Sequence, residues 1–139
     1  MHAKSVILVV DDTNLCRECL GPLLELRGYE VISAGGGKEA LSKLIRRRPD
    51  LIVLDLAMPD IDGLMLLRMI KQKDRWKNIP IILLSGYVNQ QVVVAASKAG
   101  VQEILLKASF TLKEFIARVE KHLAQKPDAV IPAVVAVVG

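Results

Sequence analysis

Short apolar segments alternate with longer segments of helical periodicity along this chain, and this alternation restricts the possible folds most strongly. Four of the apolar segments are rich in branched side chains and have the length of buried strands: residues 5–10, 51–54, 79–84 and 101–106. A more polar fifth candidate, residues 30–34, is expected at a sheet edge. Strict alternation predicts an α/β fold, a doubly wound parallel sheet with helices on both faces.

The helical patterns cover residues 15–27, 38–47, 64–73, 88–99 and 112–124. Gly28 and Gly100 stand where two of these helices should end. Asp62 precedes Gly63 and an apolar run, which predicts that Asp62 is a helix N-cap. Pro22 lacks the amide that an internal helix position needs, so we expect a bend in the first helix rather than two separate helices.

The two cysteines form a C-x-x-C motif, Cys16 to Cys19, which in a βαβ context can indicate a thioredoxin-like redox pair. The alternative is that both thiols are small core residues. Seven residues of the first helix fall on roughly one face: Leu15, Cys16, Cys19, Leu20, Leu23, Leu24 and Leu26. Because that pattern is amphipathic and no aromatic, Gly or Pro residue separates the cysteines, we favour the core interpretation.

Composition excludes several classes of function. With 139 residues, the chain is long enough for one domain with its own core. The net charge of +4 comes from basic residues that are scattered apart from Arg46, Arg47 and Arg48, so direct nucleic-acid binding is not indicated. No apolar run approaches the roughly 20 residues of a membrane span, and no signal peptide is evident, which predicts a cytoplasmic protein without a membrane role. We predict a domain at residues 1–125 and an apolar tail or linker at 126–139.

Polar residues follow the four apolar strands at their carboxyl ends. Asp11 and Asp12 follow the first, Asp55 the next, and then come Ser85 and Lys107. In a doubly wound parallel sheet these ends meet at one edge, where such folds place their ligands. Taken singly, each residue could be a turn, a helix cap or a solvated charge. The ordered set predicts a site.

Three carboxylates at one edge would repel each other by about 4 kcal/mol per pair at a separation of ~4 Å and an effective dielectric near 20. A cation with oxygen ligands would remove that repulsion, and Mg²⁺ suits carboxylates, water and phosphate oxygens. No His or Cys stands at these strand ends to favour zinc. A hydroxyl and an ammonium group suit the other oxygens of a phosphoryl group. The set therefore indicates transfer of phosphate to a carboxylate.

At these residues the sequence closely resembles the receiver domain of bacterial two-component response regulators. The resemblance runs from about residue 5 to residue 123, and four segments carry it: VDDTN (10–14), LDLAMPDIDG (54–63), IPIILLSG (79–86) and AGVQEILLK (99–107). It implies a flavodoxin-like three-layer α/β/α fold with a five-stranded sheet in the order 2-1-3-4-5. It also implies that residues 1–125 form a receiver domain.

The resemblance implies a role for each residue at the predicted edge. Asp55 would accept a phosphoryl group from a sensor histidine kinase or a phosphotransfer protein. Asp12 and Asp55 would bind Mg²⁺ directly, Asp11 would bind it through water, and the carbonyl of Ala57 would complete the protein ligands.

Two further residues would contact the phosphoryl group itself. Ser85 would hydrogen-bond one phosphoryl oxygen and Lys107 would pair with another. Phosphorylation would change a face made of the fourth helix, the fifth strand and the fifth helix, which would bind a downstream protein target or a fused domain.

Two departures from the family pattern leave other interpretations open. Ile104 stands where receivers usually carry an aromatic residue that reports phosphorylation, and Ala108 replaces a proline that usually follows the lysine. A receiver-like interaction module that no longer switches is therefore one alternative. An aspartate-nucleophile phosphatase is another, although such enzymes typically place their two acids two residues apart, and Asp11 is followed directly by Asp12.

Overall fold

The computed structural model of the chain describes residues 4–11, 13, 16–56, 62–86, 89–107 and 109–124, without the side chains of residues 16 and 17. In chain order the elements are β1 (Val6–Val10), a π-helical turn (Cys16–Leu20), α1 (Gly21–Leu26), β2 (Glu30–Ala34), α2 (Gly37–Arg46), β3 (Leu51–Asp55), α3 (Gly63–Lys71), β4 (Ile81–Ser85), α4 (Gln90–Lys98), β5 (Glu103–Leu106) and α5 (Leu112–Ala124). Within these ranges no helix is long and apolar enough to cross a membrane.

The five strands form one parallel sheet in the order β2-β1-β3-β4-β5. This confirms the predicted α/β fold and strand order, and it confirms that residues 30–34 form an edge strand. β4 and β5 each begin two residues later than predicted. Pro80 has no amide to donate, and the Oε1 atom of Gln102 accepts the hydrogen bond of the Ile81 amide at 2.7 Å. The Gln102 amide also donates to the Ile81 carbonyl at 3.2 Å, so the contact between these two strands starts with one side-chain and one backbone hydrogen bond.

Each strand contributes alternate residues to two cores, because successive side chains point to opposite faces of a sheet. On β3, Ile52 and Leu54 pack with α2, α3 and α4, whereas Leu51 and Val53 pack with α1 and α5. Both faces of the central strands are fully covered. Near-continuous apolar strands are what a sheet buried on both sides requires.

The first helical segment departs from the predicted burial pattern. Leu20, between the π-helical turn and α1, has helical dihedral angles, so Pro22 does not separate two helices. Pro22 lies in the first turn of α1. An amide at that position would have no hydrogen-bond partner within α1, so proline is tolerated there. Cys19 is exposed and Leu26 is 84% exposed. The prediction that Cys19 is a core residue was wrong, because the wider π-helical turn changes which residues face the sheet. The side chain of Cys16 lies outside the described residues.

Asp62 caps α3 as predicted, since its Oδ1 atom accepts a hydrogen bond from the Met65 amide at 2.9 Å. We expect Asp62→Ala to lower the free energy of unfolding by about 1 kcal/mol. Asp74→Ala is the matched control, because Asp74 is exposed and forms only a surface ion pair with Lys77. Urea denaturation of both variants would test this, and equal losses would contradict the assigned cap.

Candidate functional site at the carboxyl edge of the sheet

The strand register brings two acidic residues to the same edge. Val10 of β1 pairs with Leu54 of β3, and the next residue on each chain segment is an aspartate, Asp11 after β1 and Asp55 at the end of β3. The Asp11 amide continues the sheet by donating to the Ala34 carbonyl at 3.0 Å. The backbone at this edge is therefore held by the sheet itself.

The next two strands bring the predicted hydroxyl and ammonium groups to the same edge. Asp55 pairs with Leu84, and Ser85, the last residue of β4, pairs with Leu106 of β5. The Lys107 amide donates to the Ser85 carbonyl at 2.8 Å. Ser85 and Lys107 consequently follow Asp11 and Asp55 along one edge, in the order of the strands.

The side chain of Lys107 contacts Asp55 directly. Its Nζ atom lies 2.8 Å from Oδ2 of Asp55, and only 1% of the Asp55 side chain is exposed. A buried carboxylate is costly unless it is paired and hydrogen-bonded. The ammonium group therefore stabilises the charged form of Asp55 at the position where a reacting group would arrive.

Asp11 is also fully buried, and Thr13 contributes to holding it. The Thr13 amide donates to Oδ1 of Asp11 at 3.0 Å, and the Thr13 hydroxyl donates to Oδ2 at 2.7 Å. This turn orients the carboxylate from within its own loop. Thr13 was not among the predicted site residues, although an Asp followed two residues later by Thr is a recognisable turn pattern.

The charge balance at this edge fits a divalent cation. Among the described residues here, the buried carboxylates of Asp11 and Asp55 face one ammonium group, that of Lys107. The side chains offer hard oxygen atoms, which are the ligands that Mg²⁺ prefers. The other two predicted ligands, Asp12 and Ala57, lie outside the described residues, and within those residues no three acids, histidines or cysteines cluster tightly enough to hold a metal.

The start of α3 packs against the backbone that follows Asp55. The Gly63 amide donates to the Leu56 carbonyl at 2.9 Å. A Cβ atom built on Gly63 would lie 2.4 Å from the Leu56 Cα atom and 2.8 Å from the Asp55 carbonyl oxygen. Only glycine permits this approach. Gly63 was predicted as the residue after an N-cap and as the end of the LDLAMPDIDG segment, but its contact with the Leu56 backbone was not predicted.

The departures noted in the sequence have different outcomes. Ile104 is completely buried in the core that β5 shares with α4. Its short aliphatic side chain cannot supply the rotation of an aromatic ring between buried and exposed positions. Ala108 lies outside the described residues.

Comparison with known proteins shows the family. The response regulator receiver domain family matches residues 7–120. Response regulator MprA of Mycobacterium leprae is 39% identical over 123 residues, which are 88% of this chain and 53% of MprA. The chain thus spans about half the length of this curated relative.

Solved structures agree in fold. The crystal structure of a response regulator receiver protein from Pseudomonas putida has a TM-score of 0.80 at 34% identity and covers 87% of this chain and 99% of that one. Response regulator TrrA from Thermotoga maritima, solved in complex with Mg²⁺ and BeF, has a TM-score of 0.74 at 37% identity, with coverage of 85% and 98%. Because the family match extends over most of the chain and the fold and strand order agree with it, this chain belongs to the response regulator receiver domain family.

Proposed function

We propose that this chain is the phosphoacceptor module of a two-component phosphorelay, in which Asp55 takes a phosphoryl group in a Mg²⁺-dependent reaction. The donor is the phosphohistidine of a sensor histidine kinase or of a phosphotransfer protein. One observation carries the proposal: the buried Asp55 carboxylate contacts the Lys107 ammonium at 2.8 Å, and Asp55 ends the strand next to the one that the buried Asp11 follows.

The chemistry follows from these contacts. An Asp55 carboxylate oxygen forms a bond to phosphorus, while the bond from phosphorus to the donor nitrogen breaks and the imidazole leaves with the electron pair. Lys107 then exchanges its contact with the carboxylate for one with a phosphoryl oxygen. Ser85, which is 5% exposed at the end of the adjacent strand, donates its hydroxyl hydrogen to another phosphoryl oxygen.

Asp11, Asp12 and Asp55 with the carbonyl of Ala57 are the residues that would hold Mg²⁺. When bound, the ion offsets charge on the transferring group. The chain's own contribution is to keep the carboxylates of Asp11 and Asp55 buried, and Thr13 orients that of Asp11. The later loss of the phosphoryl group is hydrolysis of the acyl phosphate by water, so the chain promotes only its own phosphorylation and dephosphorylation.

The output of the module is a changed binding surface. The phosphoryl group adds negative charge and acceptor oxygens beside Ser85, the last residue of β4, and Lys107, which follows β5. Movement of these residues would be passed to α4, β5 and α5, whose face binds a downstream protein target or a fused domain. Since Ile104 is a buried aliphatic residue, the change must be carried by packing rather than by rotation of an aromatic ring.

Acetyl phosphate with Mg²⁺ should add one phosphoryl group to the native chain, detected by intact mass. Asp55→Asn should abolish the adduct, because an amide oxygen is a poor nucleophile, and removal of Mg²⁺ with EDTA should also prevent it. Asp74→Asn, at an exposed acid in the connection between α3 and β4, should leave it unchanged. A native chain that acquires no adduct would instead be a receiver-shaped interaction module that does not switch, and modification of Asp55→Asn at the native rate would refute the assigned acceptor.

A further inference from the structure

A groove runs between α3 and α4. It consists of two adjoining pockets of about 440 and 270 Å³ that share Arg68, Ala95 and Lys98 in their walls. Its apolar surface includes Val94, whose side chain is 42% exposed. We call this feature the α3–α4 groove.

The two helices that form the α3–α4 groove carry basic residues but no acidic residues. Neither helix contains an aspartate or glutamate, and the basic residues within them, Arg68, Lys71 and Lys98, all line the groove. Among the described residues, the charged ends of Arg68 and Lys98 have no hydrogen-bond or ion-pair partner. Two exposed cations therefore face the same open groove, and no anion in the described part of the chain compensates them.

Lys71 has a different role at the inner end of the groove. Its Nζ atom donates to the Lys77 carbonyl at 3.1 Å and approaches the Gly100 carbonyl at 3.5 Å. Burial lowers the pKa of this lysine. A carboxylate that entered the groove would offset the effect of burial on the pKa of Lys71, since an opposite charge nearby favours the ammonium form.

We propose that the α3–α4 groove binds an acidic segment of a protein partner, with an apolar side chain of that segment resting on Val94 and carboxylates facing Arg68 and Lys98. Charge complementarity carries the choice of partner. A nucleic acid fits less well, because the lining residues within the described chain include no aromatic side chain on which a base could stack. The proposal does not depend on phosphorylation of Asp55.

A pair of charge-removal variants tests this surface. Arg68→Gln/Lys98→Gln removes the two exposed cations and leaves Lys71 in place. Lys43→Gln/Arg46→Gln is the matched control, since it removes one lysine and one arginine from the last turn of α2. The probes are a fluorescein-labelled peptide of alternating Glu and Leu, the same peptide with Gln in place of Glu, and a labelled oligothymidine of equal length.

At low salt, we expect the Glu–Leu peptide to bind the native chain and to bind the Arg68→Gln/Lys98→Gln variant about 10-fold more weakly. The control variant should bind it within about 2-fold of the native chain, and the Gln peptide and oligothymidine should bind more weakly than the Glu–Leu peptide. Amide chemical-shift changes on binding should fall on α3 and α4. If the double variant does not fold, Lys98→Gln alone should still weaken binding relative to Lys43→Gln.

Several results would overturn the proposal. If the groove variant and the control variant lose equal affinity for the Glu–Leu peptide, the peptide is attracted by the net charge of the protein and does not bind in the groove. Stronger binding of oligothymidine would indicate a nucleic-acid surface instead. Absence of Glu–Leu peptide binding at concentrations up to about 1 mM would show that the groove does not recognise an acidic segment.

Discussion

Replacement of Gly63 with alanine should lower the free energy of unfolding by about 2–4 kcal/mol, although alanine is the better helix former. The added Cβ atom would lie 2.4 Å from the Leu56 Cα atom, 2.8 Å from the Asp55 carbonyl oxygen and 2.9 Å from the Leu56 carbonyl oxygen. All three contacts are with backbone, so no side chain can rotate away to relieve them. The start of α3 must move from β3, and the backbone of Asp55 must adjust with it.

Gly86→Ala provides the control for this prediction. Gly86 also follows a strand at the carboxyl edge, but a Cβ atom there would meet no heavy atom of the described residues within 4 Å. We expect Gly86→Ala to change stability by less than about 1 kcal/mol. Urea denaturation of the two variants measures the difference. A Gly63→Ala variant as stable as the native chain would show that α3 does not need this close approach.

Glu103→Ala should be at least as damaging, with a loss of about 3–5 kcal/mol in the free energy of unfolding. Glu103 begins β5, and 1% of the residue is exposed. Its carboxylate lies 3.3 Å from Nη1 of Arg118 and is hydrogen-bonded to Nε2 of His122, which is itself buried. The Nδ1 atom of the buried His122 ring already has no hydrogen-bond partner among the described residues. Removal of the Glu103 carboxylate would also leave Nε2 of the same ring without its partner.

Two further substitutions separate loss of this cluster from a general effect of charge. Glu120→Ala removes a glutamate of α5 whose ion pair with Arg27 is long, at 3.9 Å, and exposed on both sides, so it should cost less than about 1 kcal/mol. Glu103→Gln keeps a hydrogen-bonding group of nearly the same shape, and it should fall between Glu103→Ala and the native chain. Thermal and urea unfolding would rank the variants. Similar losses for Glu103→Ala and Glu120→Ala would contradict the role assigned to the buried cluster.

Most of the fold could be predicted from periodicity. The bounds of α5 and of the edge strand β2 agree with the predicted bounds, and the other predicted segments overlap the observed elements with shifts at their ends. The ends of β4 and β5 were predicted less accurately than the order of the elements, because the ends of strands depend on hydrogen bonds to neighbouring strands. The late start of β5 is an example, since Gln102 uses its side chain rather than its backbone carbonyl to pair with Ile81.

The candidate site could be predicted as a set of strand ends, but not as a set of contacts. Asp11, Asp55, Ser85 and Lys107 stand after or at the ends of apolar segments in the sequence, and a parallel sheet places such ends together. The contact between Lys107 and Asp55 joins residues 52 positions apart in the chain. The distance between these two side chains depends on the register of β3, β4 and β5, which no local pattern in the sequence specifies.

The sequence by itself determined the alternation of strands and helices, the two-sided burial of the sheet and the edge on which polar residues collect. These properties follow from local periodicity and from the direction of parallel strands. Only the tertiary structure decided that Cys19 is exposed, that Gly63 must lie against Leu56, and that Glu103 is buried beside His122. Each of these depends on which atoms from distant parts of the chain occupy the neighbouring space, and the spacing of residues along one segment carries no information about that.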